Sequence, residues 1–188
     1  MAGAKRALDT GLVQLYIGRA KGKTTAAVGL LVRAAGRGLR GALIQFGKRT
    51  RSSGEHFALR RLDDHITVRC FGMPVRTSGW GEWIRPGEPT EEALALARRA
   101  LEATREAAAS GEFDIVVGDE LLYALNFGLV SRQDIIDLLE SRAKHTELVL
   151  TGGSAPRWLV DAADLVTQMR KLKHPYDAGV RARAGIEF

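Results

Sequence analysis

The sequence predicts an α/β fold, a mostly parallel sheet with helices on both faces, on three observations. Short apolar runs alternate with helical segments along most of the chain. Several of those runs are apolar at consecutive positions, as strands covered on both faces are. The first strand passes through a glycine-containing turn into a helix that opens with Lys23-Thr24, which is the layout of a phosphate-binding loop (P-loop).

Element by element, LVQLYI (12–17) reads as a buried strand ending at glycine, and Thr24 to Ala35 as a helix stopped by GRG (36–38). ALIQF (42–46) is a second strand, GEHFALRRL (54–62) a short helix and ITVRCF (66–71) a third strand. Residues 72–90 are dense in Gly and Pro and have no period, so a long loop is expected there. Thr90 opens a helix to about Ala109, with Leu94, Ala97, Leu101 and Ala108 on one stripe. FDIVVGDE (113–120) is a strand ending in two acids. SRQD (131–134) starts a helix as a capping box with Asp in the acid position, turning Ile135, Leu138 and Leu139 inward. ELVLTGG (147–153) is a strand, APRWLVDAADL (155–165) a short helix, and LVTQM (165–169) a last strand before a basic, irregular tail.

With 188 residues the chain is expected to form one domain, with residues 1–11 as a flexible N-terminal stretch. No apolar run is long enough for a membrane span, the N-terminus lacks a signal-peptide core, and the single cysteine, Cys70, fits a reducing compartment, so a cytoplasmic protein is expected. The net charge of +6 suits anionic partners or is simply a basic surface. Its clusters, GKRTRSS (47–53) and RKLKH (170–174), lack the interleaved aromatics of a single-strand binder, so no nucleic-acid partner is expected.

Four segments carry candidate chemistry. The loop from Gly18 to Thr25 has the spacing G-x-x-x-G-K-T, one residue shorter than the usual phosphate loop. Its backbone N–H groups, the helix N-terminus and Lys23 favour a triphosphate, and the Thr24 hydroxyl is placed to ligate Mg2+. Lysine at a helix start is unfavourable without an anion beside it. Asp119 and Glu120 end an apolar strand, where one or both can hold that ion directly or through water, or can be solvated turn acids. Thr151, in TGG, either faces the nucleotide or forms a tight turn. Trp80 and Trp83 lie in the long loop, either as a surface for a large flat ligand or as a satellite core. Of the four histidines, His174 has no second histidine at metal-ligand spacing, so no metal cluster is expected around it.

The segments YIGRAKGKTTAAVGLLVRAAGRG, LIQFGK, FDIVVGDELLYALNFGLV, ELVLTGG-AP and ADLVTQMRKLKHPYDAGVRARAGIEF span the chain in order from residue 12. Together they resemble the ATP:corrinoid (cob(I)alamin or cob(I)yrinic acid a,c-diamide) adenosyltransferases, the RecA-like P-loop type. The resemblance implies an enzyme that transfers the 5′-deoxyadenosyl group of ATP to a cobalt(I) corrinoid and releases triphosphate. It implies that Gly18, Arg19, Ala20, Lys21, Gly22, Lys23, Thr24 and Thr25, with Thr151, bind ATP. Lys23 and a magnesium ion held by Thr24 and Glu120, with Asp119 through water, would offset the charge of the leaving group. Trp80 and Trp83 would lie against the corrinoid and keep the lower axial base off cobalt. A homodimer fed by a flavin-dependent reductase is implied as well.

Two positions depart from the family pattern. Ala20 stands where an inner glycine is usual, tolerable only at negative φ. Gly153 stands where an arginine commonly reaches the triphosphate, so Arg19, Lys21 or Arg157 is expected to replace that charge. The alternatives are a homologue that binds ATP or adenosylcobalamin without turnover, and a general P-loop ATPase.

Overall fold

The computed structural model describes residues 8–49, 53–72, 84–85 and 88–188. Its main sheet is built from β1 (Val13–Ile17), β2 (Gly41–Phe46), β3 (Ile66–Phe71), β6 (Ile115–Asp119), β7 (Glu147–Gly152) and β8 (Leu165–Gln168). The spatial order is β3-β2-β6-β7-β1-β8, and every pairing is parallel. Two-residue strands β4 (Ile84–Arg85) and β5 (Glu88–Pro89) make a small antiparallel pair inside the stretch expected to be a loop. They are too short to leave a period in the sequence. The rest of that stretch after Gly72, with Trp80 and Trp83, lies outside the described residues.

The helices are α1 (Lys23–Ala35), α2 (Gly54–Leu59), α3 (Glu91–Ala109), α4 (Leu121–Asn126), α5 (Arg132–Ser141) and α6 (Arg157–Ala162). Alternation along the central strands divides the core between the two faces of the sheet. Leu43, Ile115, Val117 and Val149 pack with Ala27, Leu31, Ala34 and Ala35 of α1 and Leu59 of α2. Their neighbours Ala42, Ile44, Phe46, Val116, Leu148 and Leu150 pack with α3, α4, α5 and α6 on the other face. Both faces are buried, so the central strands read as unbroken apolar runs and not as alternating ones. The outermost strand β8 is exposed along its length.

Ends of helices separate scaffold from site. Thr90 caps α3 by accepting from Ala93 N–H at 3.2 Å, with Glu91 and Glu92 in the first turn. Ser131 and Asp134 form a full capping box on α5. The start of α1 has neither a side-chain cap nor an acid. At the other end of the chain's described part, Gly11 is already fixed: its N–H reaches Lys144 O at 2.8 Å, and Arg142 holds its carbonyl at 3.0 Å. Among the described residues no helix is long and apolar enough to cross a membrane.

The helix α4 is absent from the sequence reading because LLYALN, which follows the two acids directly, is short and has no polar face to mark it. It lies hard against β7: a Cβ at Gly152 would stand 2.5 Å from Leu122 Cβ and 3.0 Å from the Tyr123 nitrogen. Gly152→Ala is therefore expected to cost about 1–3 kcal/mol of stability by overpacking. Urea unfolding checks it, and an unchanged midpoint would contradict this seating of α4.

Candidate active site

Parallel strands bring their carboxyl ends to one edge, where Ile17 is in register with Gly152 and Gln168, and Gln45 with Asp119. Ligands of open α/β sheets sit outside that edge. From β1 the chain turns at Gly18, where φ is 120° and a Cβ would stand 2.2 Å from Met169 O. Both the angle and the close approach require glycine. Gly22 repeats the φ of 120° and opens α1, whose first N–H groups carry the partial positive charge of a helix start. Lys23 Nζ turns back onto the loop, donating to Gly18 O at 2.7 Å and Ala20 O at 2.8 Å. Burial lowers the Lys23 pKa, and the carboxylates of Glu120 and Asp119 work against that. Among the described residues Glu120 alone takes a positive φ without being glycine, so the Ala20 methyl costs no left-handed strain.

Asp119 is the hub. Its side chain is fully buried, yet each oxygen is satisfied twice. Oδ1 accepts from Thr151 Oγ1 at 2.7 Å and Thr24 Oγ1 at 2.9 Å. Oδ2 accepts from Lys48 Nζ at 2.9 Å and Gln45 Nε2 at 3.0 Å. Burial alone would raise the Asp119 pKa. The Lys48 charge, with hydrogen bonds from Lys48, Thr151 and Gln45, outweighs it and holds the carboxyl below its usual range. Behind it, His56 Nε2 donates to Gln45 Oε1, which fixes the amide so that its nitrogen faces Asp119. The opposing charges also raise the Lys48 pKa against burial.

Glu120 adopts φ 65°, a left-handed conformation that costs a non-glycine residue roughly 1–3 kcal/mol and marks functional sites. Its N–H donates to Thr151 Oγ1 at 2.8 Å, so one hydroxyl ties both acids in place. The sharp turn sends the two acids different ways. Asp119 faces the sheet edge, and Glu120 lines a cavity of about 460 Å³. That size is within the range of small-molecule sites. Its walls are the loop and start of α1, Lys48, residues 53–55, Glu120 and the C-terminal residues 185–188.

Of the residues expected to bind ATP, Ala20, Lys21, Gly22, Lys23, Thr24 and Thr25 line this cavity, with Glu120 opposite. Gly18 lies beneath the loop, and its N–H donates to Gly153 O at 3.0 Å. Arg19 is exposed and is not part of the cavity wall. Thr151 neither faces the cavity nor forms a simple turn; it is a fully buried bridge between Asp119 and Glu120. A sequence shows that a threonine ends a strand, but not that the neighbouring strand ends in an acid beside it. Of the three cations considered in place of the family arginine, only Lys21 reaches the cavity. Arg157 is held at the surface by Asp161 at 2.8 Å. At Gly153 itself a Cβ would meet the Tyr123 ring at 2.9 Å, so an aromatic ring occupies that ground.

Three contributors were not assigned roles by sequence reasoning. Lys48 lies in the basic run 47–53 and gave no signal beyond charge; its place two residues past Phe46, at the strand-end edge, is the clue. Gln45 is the one polar side chain in an otherwise apolar strand. The C-terminal stretch closes the cavity: Lys21 Nζ donates to Ile186 O and pairs with Glu187 at 2.9 Å. Hydrogen bonds from Arg183 and Lys21 lower the Glu187 pKa to about 2.

Fold and edge together define an α/β protein with a phosphate-loop-like strand, turn and helix set beside a strand that ends in paired acids. The profile of the family described as ATP:corrinoid adenosyltransferase BtuR/CobO/CobP matches residues 9–188. The chain belongs to that family and is, by that membership, a transferase. It is 31% identical over 180 residues to the corrinoid adenosyltransferase CobA of Salmonella typhimurium, covering 96% of this chain and 87% of that one. A corrinoid adenosyltransferase of a Sinorhizobium species is 30% identical over 181 residues, covering 96% and 81%. That of Pseudomonas aeruginosa is 29% identical over 180 residues, covering 96% and 85%.

Thr151→Val keeps the shape of the side chain but leaves Asp119 Oδ1 short of a donor and the Glu120 N–H without an acceptor. A loss of about 2–3 kcal/mol at pH 7 is expected. The depressed Asp119 pKa contributes stability above the ordinary carboxyl value near ~4 and loses it as pH falls through the folded value. The variant should therefore also begin to unfold at a higher pH on acidification than the parent. Chemical unfolding at several pH values measures both, and a Val variant equal to the parent at every pH would refute the bridging role.

Proposed function

We propose that this chain transfers the 5′-deoxyadenosyl group of ATP to the cobalt(I) of a corrinoid, releasing intact triphosphate, in adenosylcobalamin biosynthesis or salvage. The family match over residues 9–188 carries the reading. The geometry supports it. The triphosphate lies in the cavity between the α1 start and Glu120, where Lys23 exchanges its bonds to Gly18 and Ala20 carbonyls for phosphate oxygens. Lys21 adds a second charge from the loop.

The cobalt(I) lone pair attacks the ribose 5′ carbon, the cobalt–carbon bond forms, and the electrons of the carbon–oxygen bond leave with the triphosphate. No proton is transferred to or from the protein in this step. Catalysis then rests on orientation and on stabilising the leaving anion. A loop that grips the whole triphosphate and leaves the ribose outward suits this task.

Thr24, Asp119 and Glu120 supply a hydroxyl and two carboxylates, the oxygen donors that Mg2+ prefers. A cation already stands at that position: the Lys48 ammonium contacts both Asp119 and, at 3.2 Å, Thr24 Oγ1. The donor set therefore fits magnesium, which when bound would help neutralise the leaving triphosphate. Glu120, turned toward the cavity, is the better placed carboxylate, and Asp119 orients the set.

Separation of β1 from the acid strand β6 by β7 supports a RecA-like P-loop reading of the sheet. We place Trp80 and Trp83 on the corrinoid side, as the family resemblance implies. The whole chain acts as one catalytic unit in a cytoplasmic homodimer supplied with electrons by a flavin-dependent reductase.

Mixing the protein with ATP and chemically reduced cobalamin tests the reading. Adenosylcobalamin and triphosphate should appear in equal amounts, and Lys23→Ala should lower kcat/KM for ATP by about 100-fold or more. Binding of either ligand without turnover, or ADP formed without corrinoid, would replace it with the binding-protein or ATPase reading.

A further inference from the structure

Asp119 has four hydrogen-bond partners and no spare acceptor position. Gln45 and Thr151 are fully buried and locked by further bonds, whereas Thr24 and Lys48 are the two partners on the cavity side. Thr24 gives its proton to Asp119, so its lone pairs are what remain for a cation, and Lys48 donates to one of them. A divalent ion ligated by the Thr24 hydroxyl would meet the Lys48 ammonium in the same space, with like charge. Only Lys48 can yield.

Its attachment suits that role. The chain leaves β2 through Gly47, at φ 67°, and the Lys48 backbone is clamped: a Cβ at Gly72 would stand 2.4 Å from its carbonyl carbon. The stem beyond is in the cavity wall with 20% of the side chain exposed, on the same cavity as Lys23 and Lys21. Glu120 and Glu55, the latter at 3.9 Å, are its other acidic neighbours.

We propose that Lys48 is the site's exchangeable cation: it neutralises Asp119 in the empty site, then cedes that position to the metal and moves onto the triphosphate. This rests on the nucleotide reading above and assigns a further residue to the grip on the leaving group. Without metal the buried carboxylate thereby stays paired, and the loaded site gains a third lysine on the phosphates, from the end of β2, without any change of backbone.

Thermal unfolding with and without magnesium chloride, in the absence of nucleotide, reads the exchange, and calorimetry with inorganic tripolyphosphate reads the destination. In the parent protein Lys48 competes with the metal, so magnesium alone should shift the Tm little. In Lys48→Met magnesium should raise the Tm by about 3 °C or more, because the ion now fills an unpaired site. The same variant should bind tripolyphosphate with magnesium about 10- to 100-fold more weakly. A Tm response to magnesium equal to the parent's, or an unchanged tripolyphosphate affinity, would make Lys48 a fixed counter-ion and overturn the proposal.

If Lys48→Met does not fold without magnesium, Lys48→Arg decides. A guanidinium pairs with the carboxylate more rigidly, so half-maximal tripolyphosphate binding should need several-fold more magnesium. The same magnesium requirement as the parent would overturn the exchange. Failure of the parent itself to bind tripolyphosphate would instead refute the nucleotide reading.

Discussion

A single buried carboxylate organises this site. Asp119 draws together a hydroxyl at the start of α1, a lysine beyond β2, an amide within β2 and a hydroxyl ending β7. A lone ionised carboxylate in such a place would be strongly unfavourable, and with any one partner missing a buried charge would be left short. The hydrogen-bonded set therefore holds the ends of three strands and one helix in fixed relation. That relation places the phosphate-loop-like turn opposite Glu120.

The two neighbouring acids perform separate tasks because the backbone turns left-handed between them and α4. Asp119 looks into the sheet and Glu120 into the cavity. The strain at Glu120 is offset by the Thr151 hydroxyl, which accepts its N–H, and by α4 packed onto β7 through Gly152. Sheet packing and the aim of a carboxylate toward the cavity are thus coupled.

Much of the architecture was legible in the sequence. The strands now labelled β1, β2, β3, β6, β7 and β8, and helices α1, α3 and α5, are marked by apolar period, by Gly stops and by the capping residues Thr90 and Ser131. The loop from Ala20 to Thr25 and the acids 119–120 were readable because spacing along the chain and position at a strand end are local properties. Thr151, Lys48, Gln45 and residues 185–188 were harder. Their roles depend on which strand lies beside which, and on where a long tail returns, neither of which a local pattern encodes. The helix α4 was hidden for a different reason, being short and apolar with no polar face.

The central claim is that the nucleotide is gripped by its phosphates so that the ribose 5′ carbon is the atom attacked. ATP carrying oxygen-18 at the bridge between the 5′ carbon and the α-phosphorus distinguishes the bonds directly. Mass spectrometry after turnover with a reduced corrinoid should find all of the label in the released triphosphate. Label retained on the nucleoside, or carried in ADP, would mean that phosphorus is the atom attacked, and the assignment of the site would fail.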